Sequence, residues 1–235
     1  MNNSIAGIAA DPLQYDRDEL IWTSEGSKDN NNRRLYLECL QPLLKTVKDK
    51  YVLDLGCGQG WFCDEIVKHG GRVLGLEPSM KNIQLARDTY PKIEFVHSSL
   101  QDFKSNRSFD VIVAIMVLEH FLDLEMAFKQ LFKLMKPKSQ FITIVGDFNK
   151  FTNSNSEHPT IKEVIGPGEV AIKVDYGDRA GIMCDIIRKV GHYVQAANEV
   201  GLKLQRHKPI MPPSWHPRYE TYRGKPIFHL LTFIR

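Results

Sequence analysis

Gly56, Gly58 and Gly60 follow the apolar run Val52-Leu53-Asp54-Leu55, and a second apolar run, Val73-Leu74-Gly75-Leu76, ends in Glu77. A strand that empties into a glycine-rich turn and then a helix brings backbone close to a ligand, since glycine has no Cβ to hold it away. A carboxylate ending the next strand, near the usual interval of about 20 residues, is placed to accept from ribose hydroxyls. The pair therefore points to an adenosine-containing ligand. A dinucleotide site would carry its third glycine at position 61, where this chain has Trp61, so a pyrophosphate on that helix end is disfavoured. Further along, Leu118-Glu119-His120 supplies a histidine whose intrinsic pKa suits proton transfer near neutrality. His120 is a candidate general base, with loop organisation as the ordinary alternative. His192 is the competing base.

These residues need elements to position them. Apolar runs of strand length alternate with helical periodicity, the pattern of βαβ units and a parallel sheet covered on both faces. Helices are expected over 33–47, 61–69, 79–88 and 124–135, and strands over 51–54, 72–76, 93–97, 109–115 and 140–145. Asp123 is a good N-cap, and Lys136-Pro137 is expected to stop the helix before it. From 146 to 181 the pattern dissolves into Asn, Ser, Gly and Pro, and so long a connection is a candidate lid. Helical periodicity returns over 183–200, and 202–210 and 227–234 read as two final strands. The crossover rule puts the ends of the parallel strands on one edge, where ligands bind. That edge collects Asp54, Glu77, Ser98-Ser99-Leu100 and the segment from Met116 to His120.

With 235 residues, 43% apolar and 25% charged, the chain is expected to be a single domain over 1–235. Its divisions are an N-terminal helical cap (1–48), a ligand-binding core (49–146), a lid (147–183), and a C-terminal helix with strands (184–235). A formal charge of +3 without a run of like charges gives no footprint for a nucleic acid. The longest apolar run, 111–118, is too short to span a bilayer, and the start lacks the pattern of a signal peptide. Cys39, Cys57, Cys63 and Cys184 form no zinc or redox spacing and read as reduced thiols. A cytoplasmic location is the expectation. Oligomeric state is left open.

The run Val52-Leu53-Asp54-Leu55-Gly56-Cys57-Gly58-Gln59-Gly60 resembles the first motif of the class I S-adenosylmethionine-dependent methyltransferases, whose other motifs follow in order to about residue 150. The resemblance implies an α/β, Rossmann-like, seven-stranded and mostly parallel sheet with helices on both faces and the last strand antiparallel. It also implies S-adenosyl-L-methionine as cofactor. Asp54, Gly56, Cys57, Gly58, Gly60, Glu77, Pro78, Ser99, Leu100 and Met116 would form its site. Glu77 would take the ribose hydroxyls and Leu100 would line the adenine slot. Family members commonly carry an acid where Ser99 stands, so either the Ser99 hydroxyl or Asp102 would replace it. Trp22-Thr23-Ser24-Glu25-Gly26 and Asn32-Arg33-Arg34-Leu35 look like the entry of ubiquinone-pathway O-methyltransferases. By that likeness Arg34, or its neighbour Arg33, would meet the cofactor carboxylate.

Neighbouring chemistries lack residues they need. The Asn-Pro-Pro-Tyr-like element of exocyclic-amine methylases is replaced by Ile115-Met116-Val117-Leu118, and no Pro-Cys nucleophile stands there. Met116 stands where a Glu-x-x-Glu-His metal arrangement would want a glutamate, so metal-independent transfer is expected. Tyr15, Trp22, Tyr176, Arg179, Met183 and Trp215 are the substrate-facing candidates, with Tyr219 and Tyr222 beside them, because aromatics flank flat apolar ligands and arginine holds anions. The expected acceptor is a small organic molecule, a phenol or natural-product intermediate methylated at oxygen. Methylation at nitrogen, an RNA substrate and a non-catalytic binding protein are the alternatives.

Overall fold

The computed structural model describes residues 4–16, 30–153, 160–175 and 182–235. Two sheets organise them. The larger has seven strands: β1 (Tyr51–Leu55), β2 (Arg72–Glu77), β3 (Glu94–His97), β4 (Phe109–Ile115), β5 (Met135–Gly146), β9 (Lys203–Ile210) and β10 (Phe228–Ile234), in the order β3-β2-β1-β4-β5-β10-β9. β1, β2, β3, β4 and β5 run parallel, and β10 is antiparallel to both its neighbours.

The alternation of side chains along each strand divides the core into two layers. Val52, Val111 and Val113 pack on one face against α2 (Asn30–Leu44), α3 (Trp61–Lys68) and α4 (Met80–Thr89). Leu53, Ile112 and Ala114 pack on the other against α5 (Leu124–Leu134) and α7 (Val190–Glu199). Asp123 caps α5, its carboxylate accepting from the Met126 amide at 2.9 Å. Both faces of the central strands are therefore dry, which is why their sequences read as continuous apolar runs.

The second sheet corrects the sequence reading. Residues expected to form an irregular lid contain α6 (Phe148–Thr152), β6 (Thr160–Gly166) and β7 (Glu169–Asp175), and the start of the expected 183–200 helix is a strand, β8 (Ile182–Arg188). The three strands pair antiparallel in the order β6-β7-β8. Cys184 and Ile186 face α1 (Ile5–Ala9), whereas Ile187 joins Ile172 and Val174 on the opposite face. A strand buried on both sides shows no polar alternation, so periodicity does not separate it from a helix. A strand boundary also moves. β5 starts at Met135 and runs through Lys136-Pro137, which stops the helix as expected but lies within the strand.

Candidate functional site

The strand ends of β1, β2 and β4 open into a cavity of about 400 Å³, within the usual range for small-molecule sites. Residues of α1's following turn, α2, α6, β7 and β8 complete its walls. At the floor, the amides of Gly56 and Cys57 both donate to Leu76 O, at 2.8 and 3.1 Å, tying the turn to β2. The Gly58 amide donates to Glu77 Oε2 at 2.9 Å and the Ser79 amide to Glu77 Oε1 at 3.1 Å. Burial raises the Glu77 pKa, and these two amides work against that shift. Each carboxylate oxygen keeps acceptor capacity beyond its one backbone bond.

The glycines have separate tasks. Gly58 has φ +52°, and a Cβ placed there meets no atom within 4 Å: the space beside it is the cavity's. Gly60, the N-cap of α3 at φ +81°, turns toward Phe95, whose ring would lie 2.7 Å from an added Cβ. Gly60 is thus a packing residue and not among those lining the cavity. Asp54 is buried with Cys63 Sγ donating to its Oδ2 at 3.1 Å, and burial pushes its pKa up to about 7.

Pro78, Ser99, Leu100 and Met116 also line the cavity, together with Asp54, Gly56, Cys57, Gly58 and Glu77. Ser99 Oγ donates to Asp102 Oδ2 at 2.6 Å and accepts from the Asp102 amide at 3.2 Å, so the two form a closed turn. Met116 holds φ +56°, an unusual conformation for a residue with a side chain, and its amide donates to Ile144 O at 2.9 Å.

The upper wall gathers a polar cluster. Tyr15 Oη lies 2.8 Å from His120 Nε2, and Asp185 Oδ1 lies 3.6 Å from His120 Nδ1. All three residues line the cavity. Desolvation pushes the His120 pKa down to about 4, and burial raises the pKa of both Tyr15 and Asp185 well above their ordinary ranges. Burial thus favours the neutral form of each. Met183 packs with Ile172 and Val174 in the cavity lining, and Tyr219 and Tyr222 line the cavity as well.

Other expected site residues stand elsewhere. Arg34 points outward, pairing with Glu38 at 3.1 Å and lying over the Trp215 ring at 4.1 Å, so neither Arg34 nor Trp215 reaches the cavity. Arg33, one step along α2, lines it instead. His192 sits outside as well, with Nε2 3.1 Å from Pro167 O. Trp22, Tyr176 and Arg179 lie outside the described residues. Sequence reasoning missed Asp185 and Asn32, which line the cavity. An acid between Cys184 and Ile186 was the signal available for the first. Among the described residues, no group of three or more His, Cys, Asp or Glu side chains is arranged to hold a metal ion, and no helix is long and apolar enough to cross a membrane.

Comparison with known proteins agrees with this geometry. Residues 29–152 match a family model described as a methyltransferase domain. The ubiquinone biosynthesis O-methyltransferase of Bradyrhizobium diazoefficiens is 28% identical over 103 residues, covering 42% of this chain and 40% of that protein. The protein of the same name from Nitrobacter winogradskyi is 30% identical over 162 residues, covering 58% and 62%. The chain therefore spans less than two thirds of these relatives. A crystal structure of an S-adenosylmethionine-dependent methyltransferase from Mesorhizobium loti superposes with a TM-score of 0.69 at 20% identity, covering 87% of this chain and all of that one, a likeness of fold.

Proposed function

The chain belongs to the methyltransferase domain family, and on that premise we propose that it is an S-adenosylmethionine-dependent methyltransferase acting on a small organic acceptor, at oxygen. The observation that carries this reading is the buried Glu77 carboxylate, held by the Gly58 amide at the floor of the cavity. The residues fit the cofactor. Glu77 offers acceptors for vicinal hydroxyls, the apolar Leu100 borders a slot for a flat base, and Arg33 supplies a cation for a carboxylate. Gly58 leaves open the space that close backbone approach requires.

When bound, the cofactor supplies a methyl group on a sulfonium, already activated for transfer. The chain's contribution is then alignment, exclusion of water and management of one proton. Ile172, Val174 and Met183 give the acceptor side of the cavity an apolar wall. His120 is the base in this reading, while His192 is remote from the cavity. The choice of oxygen is supported by the relatives' names, ubiquinone biosynthesis O-methyltransferase. We read the chain as one functional unit in which β6, β7 and β8 cover the acceptor, and its four unpaired cysteines support a reducing, cytoplasmic setting.

Titration calorimetry with S-adenosylmethionine, followed by detection of S-adenosylhomocysteine in the presence of small phenols, tests the proposal. Stoichiometric binding and release of the demethylated product are expected. A folded protein that does not bind the cofactor would end this reading, and binding without turnover on any acceptor would favour a non-catalytic relative.

A further inference from the structure

Among the described residues that line the cavity, the lysine and arginine side chains are Lys150 and Arg33. They rest on different neighbours. Arg33 leans on α3, its guanidinium 5.7 Å from the centroid of the Trp61 ring, and is the cation assigned above to the cofactor carboxylate. Lys150, on α6, holds its Nζ 3.9 Å from the centroid of the Phe151 ring, 4.0 Å from that of Tyr219 and 5.1 Å from that of Phe228. All three rings line the cavity too. Phe151 packs in one cluster with Ile172, Val174 and Met183, the apolar wall on the acceptor side. The lysine therefore belongs with the acceptor, not with the cofactor.

The backbone beneath this side chain is fixed at both its polar groups. The Lys150 amide donates to Asp147 Oδ1 at 2.7 Å, and the Lys150 carbonyl accepts from Tyr222 Oη at 3.3 Å. Asp147 is itself tied down, its Oδ2 2.9 Å from His229 Nε2. A lysine on an open surface gives up rotamer freedom when it grips a ligand, whereas here the ring faces hold the charge in place beforehand. Ring faces attract the charge but are not oxygen acceptors, and an ammonium has three N–H donors. The seat therefore orders the ammonium without using up its capacity for charge-assisted bonds.

We propose that Lys150 selects the acceptor, and that the acceptor is a flat organic molecule carrying a carboxylate. This rests on the reading of the chain as a small-molecule methyltransferase. One compact ammonium balances one negative charge, which suits a carboxylate better than a phosphate dianion. The rings of Phe151 and Tyr219 beside it suit a flat carbon skeleton, so charge and shape are read in one place. Holding the carboxylate at Lys150 fixes one end of the molecule, and the atom that can be methylated is then limited by the length that remains. Lys150 is a specificity residue in this scheme and takes no part in making the new bond.

The test is calorimetric binding to protein saturated with S-adenosylhomocysteine, so that the cofactor's own carboxylate already occupies its place. The probes are 4-hydroxybenzoate and 4-hydroxybenzamide, which share a shape and differ in charge. Wild type is expected to bind the carboxylate about tenfold more tightly or better, the lower bound for one bond to a charged group. Lys150→Met keeps an unbranched stem across the rings and removes the charge. In it the two ligands should bind within about twofold of each other, with the amide within about threefold of its wild-type Kd, because the amide has no charge to lose. Lys150→Gln provides the same contrast if Lys150→Met folds poorly. Equal affinities in wild type, no saturable binding of 4-hydroxybenzoate, a preference that survives loss of the charge, or equal weakening of both ligands would each overturn the role of Lys150. Tighter binding of 4-hydroxyphenyl phosphate than of 4-hydroxybenzoate would overturn the carboxylate. Failure to bind S-adenosylhomocysteine would instead remove the methyltransferase reading itself.

Discussion

The Gly58 amide donates to Glu77 Oε2 at 2.9 Å, so the glycine turn and the acid that ends β2 are one structural unit. The carboxylate that would hold a ribose also sets the shape of the loop beneath it. Damage to either is felt by both.

Glu77→Gln should therefore weaken S-adenosylmethionine binding by about 1.5–3 kcal/mol, the worth of a hydrogen bond to a charged group, or roughly ten- to hundredfold in Kd. Glu77→Ala should cost more, because the Gly58 and Ser79 amides also lose their partner. Calorimetry on both variants checks this. An unchanged Kd in folded Glu77→Ala would take Glu77 out of the site.

Two glycines in the same turn should fail in different assays. Gly58→Val places its side chain in the cavity, where an added Cβ meets nothing within 4 Å, so it should abolish cofactor binding at a stability cost of about 1–2 kcal/mol from its positive φ. Gly60→Ala brings a Cβ to 2.7 Å from the Phe95 ring, so its main effect should be a lowered Tm. Normal cofactor binding by Gly58→Val would show that this turn is not the binding loop.

Stability should respond to pH in opposite directions at two adjacent residues. His120 has a folded pKa of about 4, below its ordinary value. As pH falls from about 6.5 the unfolded chain takes up that proton first, and stability drops by up to about 3 kcal/mol by pH 4. Glu119, pushed up to about 7 by burial, stabilises below the ordinary carboxylate pKa and loses that contribution as pH rises through 7. In urea titrations across this range, His120→Asn should gain on wild type toward acid and Glu119→Gln toward neutral and alkaline pH. Parallel pH curves for all three proteins would contradict the burial of both groups.

Methyl transfer should survive a strong chelator, since alignment and one proton transfer are all the proposed chemistry asks of the protein. Loss of turnover in EDTA, restored by magnesium or zinc, would require a metal step.

Much of the fold, and the meeting of the glycine turn with Glu77 at the cavity, was legible in the chain. Local periodicity placed β1 and β2, the glycine turn between them and Glu77 at the following strand end, because backbone conformation and alternating burial act over a few residues. The seven-stranded, mostly parallel sheet and its antiparallel last strand were implied by the family resemblance and agree with the structure. Helix phase was less certain: two consecutive arginines on α2 differ by about 100° around the axis, and packing turned Arg33 inward and Arg34 out.

The cluster of Tyr15, His120 and Asp185 was decided by tertiary structure alone. Tyr15 and His120 lie 105 positions apart, and Asp185 reaches them from a strand that exists only because β7 pairs with it and α1 covers its other face. No local rule encodes that convergence. The sequence by itself determined that a backbone turn and a carboxylate would meet at one strand edge, since both lie within one βαβ unit. Which distant polar groups meet in the cavity follows from how a second sheet and an N-terminal helix are buried against the first, a result of the whole core packing at once.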